Sequence, residues 1–168
     1  MNPMQEIKIE KVTVNIGCGD DKVKIDKAKK LLEILTEKKP VITKSKKRST
    51  FGVTKGKPLG VMVTLRNEEA AEFLKKALAG VENQLHKKKF DSSGNFSFGV
   101  REYIDMPGVK YSHDVGMMGF EVAVTLKRAG FRIKSRRIQQ KQIPAKHRIN
   151  NEEAAEWLKK TVGVELIE

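Results

Sequence analysis

The chain has 168 residues, with 34 Lys and Arg against 21 Asp and Glu, for a formal net charge of +13. Hydrophobic residues make up 39%, enough for a core; this excludes a wholly disordered chain and fits one domain over residues 1–168. No apolar run approaches the roughly 20 residues that cross a bilayer, and the single cysteine, Cys18, excludes an internal disulfide and an all-cysteine metal cage.

In chain order, Ile7 to Ile16 reads as a strand, because Val12, Val14 and Ile16 alternate with Thr13 and Asn15. Gly17-Cys18-Gly19-Asp20 breaks it. Asp26 is the expected cap of a helix running to about Lys38, with Ala28, Leu31, Leu32 and Leu35 on its apolar face, and Pro40 stops it. Val41 to about Thr50 reads as a lysine-rich second strand. Gly52 to Gly60, with three glycines and a proline, has the composition of a hairpin tip. Val61, Val63 and Leu65 alternate with Met62, Thr64 and Arg66 in a third strand. Asn67 is expected to cap the next helix, with Glu68 and Glu69 in its first turn and Gly80 near its end. Asp91 to Gly94 reads as a turn, Asn95 to Val100 and Gly119 to Lys127 as strands, and a last helix runs from Asn150 or Asn151 to near Gly163. NEEAAEFLKK at Asn67 and NEEAAEWLKK at Asn151 differ in one residue of ten. Their flanks, TLR and HRI, do not match, so two helices meeting the same needs explain the likeness better than a duplicated domain. The order predicts an α+β fold: an antiparallel sheet with helices on one face and the other face open.

The basic residues are concentrated. Lys38 to Arg66 contains no Asp or Glu, and neither does Lys127 to Arg148, which holds nine Lys and Arg residues. Such blocks point to an anionic partner. In an extended strand Lys44, Lys46 and Arg48 share a side about 6 to 7 Å apart, which resembles phosphate spacing along a nucleic-acid strand. Thr43, Ser45, Ser49 and Thr50 between them can add hydrogen bonds to phosphate or sugar. The plainer alternative is a solvated edge strand whose lysines discourage aggregation. The segment 127–148 reads as a long extended loop, interrupted by Gly130 and Pro144, that a polyanion would order. Its alternative is a solubilising segment, against which its place between a strand and a helix argues.

Nothing in the sequence assembles a catalytic centre. His86, His113 and His147 are not paired with acids or Cys18 at metal-ligand spacing, so neither a metal nor a cofactor is expected. Gly17-Cys18-Gly19 lacks the rest of a dinucleotide fingerprint and reads as a tight turn. Aromatics are 6% of the chain, too few for a rich base-stacking platform, and core packing is the better role for at least one of Phe96 and Phe98. A membrane-surface role would need a basic helix with a large apolar face, whereas these basic residues fall in strands and loops.

Several stretches together resemble one family. GNFSFGVREYIDMPGVKY, VGMMGFEVAVTLKRAGFR and KHRI before NEEA, with NPM at Asn2, VNIGCG at Val14, KKPVITKSKKR at Lys38 and GVMVTLR at Gly60, are similar to the universal large-subunit ribosomal protein five family, in its archaeal and eukaryotic branch. Ser112-His113 and Pro144-Ala145 depart from the common family residues. The resemblance implies a structural, non-catalytic protein of the large ribosomal subunit, in the cytoplasm. It implies that the open sheet face binds 5S rRNA and helps dock it in the central protuberance. Asn15 and Thr64 match family 5S rRNA contacts, and Lys38 occupies a third contact position. Thr13, Thr43, Lys44, Lys46, Lys47 and Arg66 fit the same surface. Lys55, Gly56 and Lys57, at the hairpin tip 52–60, correspond to the loop that reaches P-site tRNA. The GVKYSHDVG region is the expected bridge to a small-subunit head protein. The basic extension 127–148, through Arg132, Lys134, Arg136, Arg137, Lys141, Lys146, His147 and Arg148, is expected to anchor on ribosomal RNA, either 5S or large-subunit, or on P-site tRNA, and to order only there. Neighbouring large-subunit proteins complete the implied partners.

Overall fold

In a computed structural model, residues 2–49 and 52–167 are described. The regular elements are β1 (Lys8–Gly17), α1 (Lys22–Thr36), β2 (Val41–Lys44), β3 (Pro58–Leu65), α2 (Asn67–Ala79), β4 (Gln84–His86), β5 (Phe96–Val100), β6 (Phe120–Lys127), α3 (Asn151–Val162) and β7 (Glu165–Ile167). Five strands form an antiparallel sheet in the order β2-β3-β1-β6-β5. With three helices this is the expected α+β architecture.

Alternation drives the sheet. Val12, Val14 and Ile16 of β1, Val61, Val63 and Leu65 of β3, and Val122, Val124 and Leu126 of β6 are all buried on one face. Each such side chain contributes about 1.5 to 3 kcal/mol on leaving water. The helices cover that face, with α1 against β3 and α2 against β1. Helix α1 buries Ile25, Ala28, Leu31 and Leu32; α2 buries Ala70, Phe73, Leu74, Ala77 and Leu78. The Phe73 ring lies 6.4 Å from that of Phe120, joining α2 to β6. Phe96 and Phe98 both turn into the core. Gly60 pairs with Gly17 where β3 crosses β1; a Cβ there would lie 2.4 Å from the Ile16 carbonyl oxygen.

The chain departs from the expected pattern in five places. First, Asp21 rather than Asp26 caps α1, its carboxylate accepting from the Val23 and Lys24 amides. The apolar stripe begins at Ile25, so the helix must start before Asp26. Second, β2 ends at Lys44, after a register shift between Thr43 and Lys44. Beyond it the chain pairs irregularly: the Ser45 amide donates to the Lys57 carbonyl and the Gly56 amide to Ser45. Lys44, Lys46 and Arg48 therefore do not form one strand row, and Thr50 lies outside the described residues. Third, Asn67 is not the cap of α2. Arg66 precedes the helix without a side-chain cap bond, and Asn67 adopts φ +58°, a left-handed conformation that asparagine tolerates. Fourth, 127–148 is not extended. It folds through 3₁₀ turns at Phe131–Lys134 and Ala145–His147. Fifth, β4 and β7, too short to show periodicity, form a parallel pair that joins the exit of α3 to the exit of α2.

The near-repeat also resolves. Asn150 closes a capping box with Glu153 at the head of α3, whereas no such box opens α2. The second copy buries Ala154 and Leu158, with Trp157 only partly covered. The same ten-residue motif thus begins two helices differently.

Candidate nucleic-acid interface

The sheet face away from the helices is built by the other half of the alternation. In register, Thr13 lies opposite Thr64 on one side and Ala123 on the other; Asn15 lies opposite Met62 and Glu121. Ser97 and Gly99 of β5 continue these two rows opposite Ala123 and Glu121. Val41 and Thr43 of β2, paired with Met62 and Gly60, extend the face to the other edge. Its residues are mostly small or polar and half-buried to exposed, with half-buried Met62 and exposed Val41 as apolar exceptions and Gly60 buried. No side chain of Thr13, Asn15, Thr64 or Glu121 has a hydrogen bond or ion pair among the described residues. A largely polar surface with unengaged side chains suits direct hydrogen bonding to sugar and base edges better than stacking, because no aromatic residue lies in these rows.

Thus Thr13, Asn15 and Thr64 are brought together. Thr43 stands at the same face beside Gly60, and Arg66 is exposed just past β3. Lys44, Lys46 and Lys47 are exposed at and beyond the end of β2. Lys38 is placed elsewhere: it pairs with Glu69 in a groove between the end of α1 and α2 that Leu65 and Phe73 also line. Lys55 and Gly56 are exposed at the hairpin tip, Gly56 with φ +87°, while Lys57 pairs with Asp20 at the end of β1.

The extension has a closed base. The Arg128 guanidinium is buried and donates to the carbonyls of Gln5 and Arg148, each at 3.1 Å, and pairs with Glu153 at 2.9 Å. His147 Nε2 lies 2.8 Å from the Ala129 carbonyl, with its ring edge-on to Phe131. Within the loop the Lys141 amide donates to Ile133, Arg136 Nε to Gln139 and Arg148 Nε to Ile143. Beside the loop, burial pushes the Asp91 carboxyl up, hydrogen bonds from the Asn95 side chain and the Asn95 and Ser93 amides more than offset it, and the Lys134 charge adds a smaller lowering. Arg132, Arg137, Lys141 and Lys146 are exposed and make no side-chain hydrogen bond or ion pair among the described residues. Arg128 was not separable from its basic neighbours by sequence, whereas Glu121, Ala123 and Thr125 carry a readable signal in their alternation with Val122, Val124 and Leu126.

Basic loops beside an open polar sheet face make this an α+β protein whose exposed chemistry is that of a binding surface. Two family models cover most of the chain: ribosomal protein L5 over residues 2–53 and the C-terminus of the same ribosomal family over 58–161. Among curated relatives, the large ribosomal subunit protein uL5 of Sulfurisphaera tokodaii is 46% identical over 170 residues, covering 100% of this chain and 96% of that protein. The namesake from Methanosphaera stadtmanae is 44% identical with 98% of both chains covered, and that from Nanoarchaeum equitans 45% with 99% of both. The chain belongs to the uL5 family of large-subunit ribosomal proteins, in its archaeal form. It is a structural, non-enzymatic constituent of the ribosome.

Proposed function

We propose that this protein binds 5S rRNA through the open sheet face and holds it in the central protuberance of the large subunit. The observation that carries the proposal is the meeting of Thr13, Asn15 and Thr64 on the one face without a helix. In this reading those three side chains contact sugars and base edges, and Thr43, Arg66, Lys44, Lys46 and Lys47 contact phosphates along the rim. Lys38 joins them only by giving up its pairing with Glu69. The hairpin tip, through Lys55, Gly56 and Lys57, reaches P-site tRNA, and residues 108–116 meet a small-subunit head protein. The extension 127–148 anchors on ribosomal RNA through Arg132, Arg137, Lys141 and Lys146, with Lys134, Arg136, His147 and Arg148 supporting the loop. Its hydrogen-bonded base reduces the backbone entropy left to lose on binding, which runs to about 1 to 2 kcal/mol per ordered residue.

Binding to 5S rRNA across a salt series, with tRNA and duplex DNA as competitors, tests this. Affinity falls as salt rises, because neutralised phosphates release counterions. The preference for 5S rRNA persists at high salt and is lost in Asn15→Ala and Thr64→Ala. Equal binding to all three nucleic acids, collapsing together with salt, contradicts the proposal.

A further inference from the structure

Glu121 is an acid on a face where acids are costly. Among the register-paired positions of that face it is the sole carboxylate. It is exposed, and no hydrogen bond or ion pair engages it among the described residues. It sits directly across from Asn15, and opposed side chains on neighbouring strands have Cβ atoms about 4.5 to 5.5 Å apart. An RNA strand that contacts Asn15 therefore covers Glu121 as well.

Covering a carboxylate removes its water, and the loss goes uncompensated unless donors replace that water. Phosphates have none and repel it. RNA offers donors only as base N–H groups and ribose 2′-hydroxyls. Of the four bases, guanine alone presents two adjacent donors, N1–H and N2–H, on its Watson–Crick edge, matching the two oxygens of a carboxylate. Next to them is O6, an acceptor for the side-chain amide of Asn15. Adenine and cytosine each put a ring acceptor against the carboxylate, and uracil flanks its one donor with two carbonyls. The surroundings leave room for an edge-on base: an open groove of about 410 Å³ is lined by Asn15, Glu121, Arg101 and the glycines 17, 99 and 119. A Cβ on Gly17 would meet nothing within 4 Å, and one on Gly99 only the Phe120 carbonyl at 4.0 Å.

Building on the 5S rRNA reading, we infer that Glu121 and Asn15 together read the Watson–Crick edge of an unpaired guanine. Glu121 accepts from N1–H and N2–H, and Asn15 donates to O6. Glu121 is thus a specificity-determining residue whose negative charge lowers affinity for every other RNA surface.

The test is Glu121→Gln, which keeps size and shape and replaces one acceptor with a donor. Binding of 5S rRNA, tRNA and duplex DNA is measured at one fixed salt. In parallel, 5S rRNA with inosine randomly replacing guanosine, or deoxynucleotides replacing ribonucleotides, is selected for binding and sequenced. A good bidentate base contact is worth about ten- to a hundredfold in discrimination. The expected result is a loss of that order in 5S rRNA affinity for Glu121→Gln, with tRNA and DNA binding unchanged or tighter. Inosine, which lacks the N2 amino group, interferes at a discrete guanosine with the native protein and not with the variant. Three results overturn the inference while leaving the 5S rRNA reading intact: tighter binding of Glu121→Gln to 5S rRNA, inosine interference that is absent or identical for both proteins, or Glu121-dependent interference from deoxynucleotides alone, which assigns the donor to a ribose. A native protein with no preference for 5S rRNA overturns both.

Discussion

Arg128 shows how a charge in a basic run can be structural rather than ligand-directed. Its guanidinium bonds two backbone carbonyls far apart in sequence and the Glu153 carboxylate, so it ties together the N-terminal segment, the end of the extension and the head of α3. Arg128→Met keeps much of the stem and leaves those carbonyls unmatched; it destabilises the fold by about 2 kcal/mol, read from urea unfolding. Glu153 gives the same junction a pH signature. The Asn150 amide, then the Arg128 guanidinium, hold its carboxyl below the ordinary 4.5, against the upward push of burial. A carboxyl lowered by folding stabilises fully above its unfolded value, and that contribution is lost as pH falls through the folded value. Stability of the native protein should therefore decline below about pH 4.5 with a component that Glu153→Gln removes; matching acid-unfolding curves for the two would refute it. Sequence alone could not tell Arg128 from Arg132 or Arg136, because burial depends on where β6 ends relative to α3.

At the scale of elements, period-two alternation located four of the five sheet strands closely, since Val12, Val61, Phe96 and Phe120 each head a run facing one core. Alternation failed where few residues repeat: β2 stops after four residues, and the lysines beyond it follow the hairpin's irregular pairing. Cap chemistry was ambiguous because Asp21 and Asp26 both precede apolar residues. The two can be separated. Asp21→Ala removes the acceptor for two free amides and costs about 1 kcal/mol, whereas Asp26→Ala, in an exposed helical position, changes stability by less than about 0.5 kcal/mol. Thermal unfolding of both variants decides it, and the reverse order would return the helix start to Asp26. The short β4 and β7 were illegible because a parallel pair between Gln84 and Glu165 depends on how α2 and α3 pack, not on local pattern.

Across the whole molecule the acids are sorted away from two stretches, whereas the lysines spread over helices and loops alike, with Lys22, Lys24, Lys27, Lys29 and Lys30 on α1. Glu33, Glu68, Glu69 and Glu72 lie on the helices, while the acid-free stretches form the hairpin and the loop before α3. This sorting was legible in the sequence as runs without Asp or Glu, and the open face was legible in Thr13, Asn15 and Thr64. What the linear order hid was the adjacency across strands: register alone sets Glu121 and Ala123 of β6 beside Asn15 and Thr13. The central claim is that this face, and not the helical one, meets 5S rRNA. A photo-crosslinking side chain placed at exposed Ala123, in the middle of the sheet, and separately at exposed Lys75 on α2, away from the groove that holds Lys38, tests it most directly. Discrete crosslinks to 5S rRNA are expected from position 123 and none from position 75; crosslinks from position 75 alone would contradict the claim.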